Sequence, residues 1–280
     1  MPKPTESVLE RIIVARRRRV EEARGRVPLK VLQQAAEARS DFRDFAATIS
    51  RGEPGKGHGV LRVIAELKHA SPSGGVLRQD YRCGEIARNY EFAGAAALSV
   101  LTEEDFFLGS LEDLRDARQA VRLPVLRKDF ILEEYQVYES VAAGADAVLL
   151  IVAALEDQWL RELLEHCRRL RIAALVEVHT EQELDRALEA GARILGVNNR
   201  NLQTLGVDIA TSFRLRAKIP AGRVAVSESG IKTAADLRRL SEAGFDAVLI
   251  GEQLMKAPDP ARELAALLAE AGVGIAAKGV

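Results

Sequence analysis

Eight short apolar runs alternate with stretches of helical periodicity, and this alternation constrains the fold of the chain more than any other feature. The runs are too short for typical helices and most are continuously apolar, which is typical of parallel strands buried on both faces. Their starts lie 21 to 33 residues apart, the room that one strand, one helix and two loops require. The predicted strands are residues 63–68, 96–102, 125–130, 147–153, 173–179, 194–200, 224–229 and 247–251.

A glycine recurs just before every second predicted strand. Gly94, Gly144, Gly191 and Gly244 follow one another at intervals of 50, 47 and 53 residues, so the repeating unit is βαβα. Four such units give eight βα pairs, the number that closes a parallel barrel without a free edge strand. A doubly wound open sheet needs a reversal of strand order that this regular repeat does not suggest. The sequence therefore predicts an α/β fold of the (β/α)8 TIM-barrel type.

An extra helical segment precedes the barrel. Apolar residues at helical spacing predict one helix around Val8 and Ile12 and a second helix beyond Pro28 that extends to Phe45. Residues 52–59 are rich in glycine, proline and charge, and they predict a loop. We expect residues 1–59 to form an N-terminal helical extension packed on a barrel of residues 60–280, within one structural domain. The basic run at residues 16–19 is expected to be a solvated helix face.

Composition and charge argue against several classes of protein. The chain has 40 basic and 41 acidic residues and a formal net charge of -1, which gives no global attraction to nucleic acid or to an anionic membrane. No apolar run approaches the roughly 18 residues of a membrane span, and the first residues lack a signal-peptide pattern. The two cysteines, Cys83 and Cys167, are far apart and offer no metal-ligand spacing. We expect a cytoplasmic protein with no metal and with neither nucleic-acid nor membrane partners.

Charged side chains collect at the carboxyl ends of the predicted strands, where barrels of this class place their active sites. Side chains two residues apart in a strand share a face, which pairs Glu66 with Lys68. If the charged residues converge, three cations face three anions and can form hydrogen-bonded pairs. A protonated lysine held in this way can act as a general acid. The residues expected to converge are Glu66, Lys68, Lys128, Glu177, Arg200 and Glu228, with His69 and His179 as secondary candidates.

Two glycine-containing turns predict a phosphate site. Ser229-Gly230 follows the seventh predicted strand, and Gly251-Glu252 follows the eighth. Barrels often bind phosphate there through backbone N–H groups and the positive end of a helix. After the first strand, residues 71–75 combine a proline with two glycines, which predicts a mobile lid.

Seven motifs at the strand ends resemble, in order, those of the indole-3-glycerol-phosphate synthase family. They are IAELK at 64–68 with ASPS at 70–73, LTE at 101–103, FFLGS at 106–110, RKDFI at 127–131, LVEVH at 175–179, GVNNRNL at 196–202 and SESGI at 227–231. The resemblance covers residues from about 5 to 268. It implies a (β/α)8 barrel with an extra N-terminal helical segment that needs neither metal nor organic cofactor. The implied reaction is ring closure of 1-(2-carboxyphenylamino)-1-deoxyribulose 5-phosphate to indole-3-glycerol phosphate, carbon dioxide and water, a step of tryptophan biosynthesis.

The resemblance also implies a role for each matching residue. Lys128 is similar to the principal general acid, Glu177 to its acid/base partner and Lys68 to the lysine that contacts substrate anions. Glu66 and Glu228 resemble the carboxylates that hold these cations. The implied substrate-binding residues are Asn198, Arg200, the lid residue Ser71, and Phe106, Phe107, Phe130 and Leu149 in the anthranilate pocket, while Ser229, Gly230, Gly251 and Glu252 are the implied phosphate site.

The chain departs from the family pattern at Gly74, where many members carry a lysine. We therefore expect a weaker hold on the substrate with catalysis intact, in a monomer or weak homo-oligomer. Two other interpretations stay open on the residues alone. One is another sugar-phosphate barrel with isomerase chemistry or a Schiff base on Lys128. The other is a non-catalytic barrel that binds a phosphorylated ligand or a partner.

Overall fold

The computed structural model describes residues 7–51 and 60–272 of the chain. The predicted loop at residues 52–59 lies outside this described part. The strands are β1 (Arg62–Leu67), β2 (Ala70–Ser71), β3 (Gly75–Val76), β4 (Ala97–Leu101), β5 (Val125–Lys128), β6 (Ala147–Ile151), β7 (Ala173–Val178), β8 (Ile194–Asn198), β9 (Val224–Glu228) and β10 (Ala247–Ile250). The helices are α1 (Val8–Arg26), α2 (Leu29–Ala38), α3 (Phe45–Ile49), α4 (Cys83–Phe92), α5 (Leu111–Ala120), α6 (Glu134–Ala142), α7 (Asp157–Arg169), α8 (Glu181–Glu189), α9 (Ala210–Arg216), α10 (Ala234–Glu242), α11 (Glu252–Lys256) and α12 (Pro260–Ala271), with a 3-10 turn at Val152–Ala154.

Eight parallel strands close into a barrel, as the repeat predicted. Strands β1 and β4 to β10 pair in chain order, and β10 pairs back to β1. All eight predicted strands are present, and each ends one or two residues before its predicted carboxyl limit. Because parallel strands need a crossover, each barrel strand except β10 is followed by a helix that leads to the next one. The fold is therefore a (β/α)8 TIM barrel.

The apolar core has two layers that follow the period-two alternation of the strands. One layer fills the barrel and contains Ile64, Leu126 and Leu175 among others. The second layer lies between the strands and the surrounding helices, and it contains neighbours of those residues such as Val63 and Val176. Glu66 therefore points to the same side as Ile64, toward the barrel axis, two residues nearer the carboxyl end.

In residues 7–51, the described part of the N-terminal extension, there are three helices rather than the two that the sequence predicted. Helix α2 ends at Ala38, and Phe45 begins the separate helix α3. The six residues between these helices are not helical, because polar groups of this segment form hydrogen bonds outside α2. Arg39 Nη2 donates to Asp146 Oδ1 at 2.7 Å, and the Asp44 side chain caps α3 by accepting from the Ala47 N–H at 2.9 Å.

The basic run in α1 is not a fully solvated face, which corrects the sequence prediction. Arg17 and Arg18 are exposed, but Arg16 is only 3% exposed. Its guanidinium pairs with Glu104 and lies 3.1 Å from Asp129, next to Lys128 in the chain. The periodicity of α1 accounts for this, because Arg16 shares a face with the buried residues Ile12 and Val20.

Two aspartates close the amino end of the barrel in the same way. Asp146 accepts from the Val125 N–H at 3.0 Å, and Asp246 accepts from the Ala225 N–H at 2.9 Å. The second oxygen of each carboxylate accepts a backbone N–H from the N-terminal segment, that of Arg43 for Asp146 and that of Arg51 for Asp246. The extension therefore contacts both ends of the barrel. Among the described helices, none has the length and apolarity needed to cross a membrane.

We expect Arg16→Met to lower the free energy of unfolding by about 3 kcal/mol, because it leaves the buried Asp129 carboxylate with one cation fewer. The matched control is Arg17→Met on the exposed face of the same helix, with an expected change within about 0.5 kcal/mol. Urea denaturation followed by circular dichroism measures both. Equal midpoints for the two variants would show that the Arg16 ion pairs do not stabilise the fold.

Candidate active site

A cavity of about 550 Å³ lies at the carboxyl ends of the barrel strands. Its volume is in the usual range for a small-molecule site. The structure brings most of the predicted site residues into its lining, which includes Glu66, Lys68, Phe107, Lys128, Phe130, Leu149, Glu177, Asn198, Arg200, Glu228, Ser229, Gly230, Gly251 and Glu252. Six different barrel strands or the loops after them supply the charged members.

Lysine–carboxylate pairs form the floor of this cavity. Lys128 Nζ lies 3.0 Å from Glu177 Oε2 and 3.6 Å from Glu228 Oε2. Lys68 Nζ donates to Glu66 Oε1 at 2.6 Å. Both lysine side chains are less than one-sixth exposed, so their charges are compensated by these carboxylates rather than by bulk water.

The two carboxyls beside Lys128 differ in their proton affinity. Burial would raise the pKa of Glu177, but Lys128 and His179 outweigh burial and lower it below its ordinary value. Burial raises the pKa of Glu228 well above the ordinary value, and the nearby anions of Glu177 and Glu66 add to this effect against the opposing Lys128. The two pKa values are therefore shifted in opposite directions, so Glu177 holds its charge more readily than Glu228.

The state of Lys128 follows from the same contacts. Burial disfavours its charge, but Glu177, Glu228 and Glu66 together raise the pKa of Lys128 above its ordinary value. The lysine is therefore protonated at neutral pH and can donate a proton to a bound substrate. Neither oxygen of Glu228 accepts a hydrogen bond from the part of the chain that the structure describes, so no such bond opposes the effect of burial on its pKa.

Two strand-end glycines make room for the carboxyls. A Cβ added at Gly196 would lie 2.1 Å from Glu228 Oε1, and one added at Gly251 would lie 2.1 Å from Glu66 Oε1. Gly196 was not among the predicted site residues, and Gly251 was predicted only for the phosphate site. A glycine inside a strand marks the close approach of another group, and that signal was present at Gly196.

An apolar wall lines one side of the cavity. Phe107 and Phe130 have ring centroids 6.4 Å apart, and Leu149 completes the wall from β6. Phe106 is outside the cavity lining, where the Arg11 guanidinium covers its ring at 5.6 Å. A side pocket of about 80 Å³ adjoins this wall, and helix α1 covers it with Val8, Leu9 and Ile12. These three residues were not predicted as site residues, because their position over the barrel mouth depends on tertiary packing.

The glycine turns lie at another side of the cavity. Ser229 and Gly230 both have positive φ angles, of 65° and 77°, in successive positions. Two successive residues of this kind change the direction of the chain sharply after β9, and both line the cavity. Lys232 and Lys256 also line this side, and neither was predicted.

Glu252 interacts with cations rather than facing an empty anion site. Its carboxylate accepts from Arg200 Nη2 at 3.0 Å and also from Lys256. The contact with Lys256, against an opposing effect of burial, lowers the pKa of Glu252, so its side chain is ionised. An ionised carboxylate repels phosphate, so only the backbone of Glu252 is suited to the predicted phosphate role.

The predicted lid is a short antiparallel hairpin of β2 and β3. Ser71 is buried, and its Oγ accepts from the Gly74 N–H at 3.1 Å. Ser71 lies in the side pocket beside Lys68 rather than in the main cavity. A Cβ added at Gly74 would approach Ser71 Oγ to 2.9 Å and Leu77 Cδ2 to 3.0 Å, so a larger residue at this position requires small shifts of two side chains.

The remaining candidates lie outside the cavity lining. His69 stacks on Tyr81 with ring centroids 5.0 Å apart. His179 contacts the Glu177 oxygen that does not face Lys128. Burial raises the pKa of both Cys83 and Cys167 to about 12. Neither cysteine is therefore a thiolate nucleophile at neutral pH.

The closed barrel and its buried lysine–carboxyl cluster define a class of protein, the TIM-barrel enzymes with an acid–base site at the carboxyl ends of the strands. Solved structures agree on the fold. 3-Hexulose-6-phosphate synthase from Salmonella typhimurium superposes with a TM-score of 0.60 at 14% identity, over 75% of this chain and all of that one. Orotidine 5'-phosphate decarboxylase from Pyrococcus horikoshii OT3 gives 0.57 at 13% identity, over 76% and 100%.

Sequence comparisons identify the particular family. The family model described as Indole-3-glycerol phosphate synthase matches residues 9–267. A protein of that description from Albidiferax ferrireducens is 47% identical over 264 residues, covering 94% of this chain and 99% of the relative. Another from Chloroherpeton thalassium is 49% identical over 247 residues, covering 88% and 94%. The chain belongs to the indole-3-glycerol phosphate synthase family of decarboxylating carbon–carbon lyases, which act in tryptophan biosynthesis.

The role of Gly196 can be tested by adding one methyl group. We expect Gly196→Ala to displace the Glu228 carboxyl and to lower kcat by about tenfold or more, because a shift of about 1 Å in a catalytic constellation is costly. The control is Gly84→Ala, where the nearest atoms would lie 3.6 Å or more from the new methyl. Steady-state kinetics and a thermal melt are measured for both variants. Wild-type kcat in Gly196→Ala would show that the position of Glu228 is not critical.

Proposed function

We propose that Lys128, Glu177, Lys68, Glu66 and Glu228 carry out the synthase reaction of the family in this chain. The observation that supports this assignment best is the position of Lys128 Nζ. It lies between two carboxyls at the floor of a cavity with an apolar wall on one side and glycine turns on another. A substrate with an aromatic ring at one end and a phosphate at the other matches this division of the cavity.

The two ends of the substrate are placed by different chemistry. The anthranilate ring packs on Phe107, Phe130 and Leu149, while Phe106 supports that wall from outside the cavity. The phosphate binds the backbone of Ser229, Gly230, Gly251 and Glu252, near the cations of Lys232 and Lys256. Asn198, Arg200 and Ser71 orient the sugar chain between the two ends, where their polar groups line the main cavity or its side pocket.

Ring closure needs an acid at the ketone. The ring carbon that bears the carboxylate attacks the ketone carbon, and the carbonyl oxygen gains negative charge as the new carbon–carbon bond forms. Lys128 donates its proton to this oxygen, which becomes a hydroxyl. A positioned acid of this kind contributes about 10² to 10⁴ in rate. Carbon dioxide then leaves, and its bonding electrons restore the aromatic ring.

Dehydration needs an acid and a base. Lys68 protonates the new hydroxyl, which leaves as water while the ring nitrogen supplies electrons. Glu177 removes a proton from the adjacent carbon, and the indole double bond forms. Glu66 and Glu228 hold the two lysines in place during these steps, since each lies within 4 Å of a lysine Nζ.

The protonated state of Lys128 argues against the Schiff-base interpretation. A Schiff base requires a neutral amine as nucleophile, but the flanking carboxylates raise the pKa of Lys128. The same surroundings favour a general acid. A non-catalytic barrel would have no need for two lysine–carboxyl pairs at the floor of its cavity.

We also propose that the enzyme works in the cytoplasm as a monomer or weak homo-oligomer, without a nucleic-acid partner and with the N-terminal helices and the barrel acting as one structural domain. The two cysteines are free and buried, as expected in a reducing compartment. The balanced net charge of -1 supports the absence of a nucleic-acid partner. Sedimentation at micromolar concentrations tests the oligomeric state.

The decisive experiment mixes purified protein with 1-(2-carboxyphenylamino)-1-deoxyribulose 5-phosphate and follows indole fluorescence. We expect turnover by the wild type, and a loss of about 10² to 10⁴ in kcat for Lys128→Ala, because this change removes the general acid. The control is Lys218→Ala, which removes an exposed, ion-paired lysine and should leave kcat unchanged. Full activity in Lys128→Ala would move the acid role to another residue.

Gly74, where many family members carry a lysine, gives a separate prediction. Gly74→Lys restores a cation beside the phosphate end, and we expect KM to fall by about threefold, the size of an exposed ion pair, with kcat nearly unchanged. Gly74→Met is the uncharged control for the added bulk. A fall in KM of the same size in both variants would assign the effect to packing rather than to charge.

A further inference from the structure

Glu177 makes a second contact that the proposed reaction does not use. Its Oε2 faces Lys128, whereas Oε1 lies 3.3 Å from Nε2 of His179. Glu177 is the penultimate residue of β7, and His179 follows the strand directly. Each oxygen of the Glu177 carboxylate therefore lies beside a basic side chain, Oε2 beside Lys128 and Oε1 beside His179.

Helix α8 fixes the orientation of the His179 ring. Glu183, in the first turn of α8, accepts from the His179 backbone N–H at 2.7 Å and lies 3.0 Å from the ring Nδ1 through the same oxygen. The Thr180 side chain caps this helix by accepting from the Glu183 N–H at 3.2 Å. The ring is thus attached to a rigid element rather than to a free loop.

Carboxylates face both ring nitrogens of His179. A neutral imidazole donates from one nitrogen only, so two carboxylate neighbours favour the imidazolium form. Burial alone would lower the pKa of His179, but Glu177 and Glu183 outweigh burial and raise it to about 10. The charged groups around the ring are Glu177 from β7 and Glu183 from α8, with Lys128 and Glu228 beyond Glu177.

Among the described residues, Glu228 has no such second partner. Lys128 lies 3.6 Å from its nearer oxygen, and the other charged neighbours that act on it most strongly are Glu177 and Glu66, both anions. Two carboxyls of the same type therefore flank one lysine, and the imidazolium of His179 directly contacts only one of them. The difference in their protonation follows from this asymmetry.

We propose that His179 is a positioning residue for the synthase reaction: held by Glu183, it fixes the Glu177 carboxylate in place beside Lys128. This inference rests on the proposed function, because it assumes that Glu177 acts in turnover. An ionised Glu177 keeps Lys128 protonated before ring closure, and it is ready to accept the proton released when the indole double bond forms.

The protonation of His179 can be measured without any assay of activity. Nuclear magnetic resonance of ring-labelled histidine in the wild type should show His179 still protonated at pH 8 and titrating near pH 10. In Glu183→Gln the midpoint should fall, because one of the two anions is lost. His179→Ala identifies the signal by its disappearance. A wild-type midpoint near the ordinary value of about 6.5 would overturn the proposal.

The pH dependence of turnover tests the role itself. In His179→Ala the pKa of Glu177 rises, so the acidic limb of the kcat profile should move up by about one pH unit, with kcat about tenfold lower on that limb and KM within about twofold of the wild type. Glu183→Gln should resemble the wild type near pH 6, where His179 still holds its proton. On the acidic limb it should therefore differ from His179→Ala, because the imidazolium still lies beside Glu177.

His166→Ala is the matched control. His166 also lies beside a glutamate, 3.4 Å from Glu134, but on α7 and away from the cavity. This variant should leave the profile unchanged. A uniform loss of activity at every pH in both His179→Ala and Glu183→Gln would assign His179 a purely structural role and overturn the proposal. Turnover by the wild type tests the proposed function on its own. Failure of that function can therefore be distinguished from failure of the His179 proposal.

Discussion

Burial of the Lys128 ammonium group is the constraint on which the rest of the site depends. A charge taken out of water destabilises the fold unless opposite charges replace the solvent. Glu177 and Glu228 supply that replacement, but they come from positions 49 and 100 residues further along the chain. Only closure of the barrel brings β5, β7 and β9 around one axis. The glycine at position 196 then leaves space for the second carboxyl. Fold and chemistry are thus linked through the neutralisation of one cation.

Charged residues at the two ends of the barrel serve different purposes. At the amino end, Asp146 and Asp246 lie 100 residues apart and make equivalent hydrogen bonds to strand and N-terminal backbone. All their partners are donors fixed by the fold, so these groups stabilise structure. At the carboxyl end, the cationic and anionic groups face a cavity that a substrate can fill. This division agrees with the general behaviour of (β/α)8 barrels, in which stability and catalysis occupy opposite faces.

Much of this arrangement could be predicted from the sequence, and the exceptions have a common cause. Continuous apolar runs located the strands because buried parallel strands require them. The period-two rule then placed Glu66 and Lys68 on the inner face, where they form an ion pair. Contacts between distant segments were missed: the burial of Arg16 against Asp129, the cover of α1 over the side pocket, and the cations at positions 232 and 256. Each depends on the path of a loop or helix across the barrel mouth. The periodicity of α1 places Arg16 on its buried face, but no local pattern identifies the distant partner.

The pair of glutamates beside Lys128 shows why residue type alone does not assign a role. Glu177 and Glu228 end equivalent strands, are equally buried and contact the same lysine. What separates them is the next neighbour, because the imidazole of His179 contacts the first and the bare backbone of Gly196 adjoins the second. A cation behind a carboxylate favours its ionised form, whereas burial without one favours the neutral form. Two identical side chains thus differ in their affinity for a proton, and the difference is made by residues that need not touch the substrate.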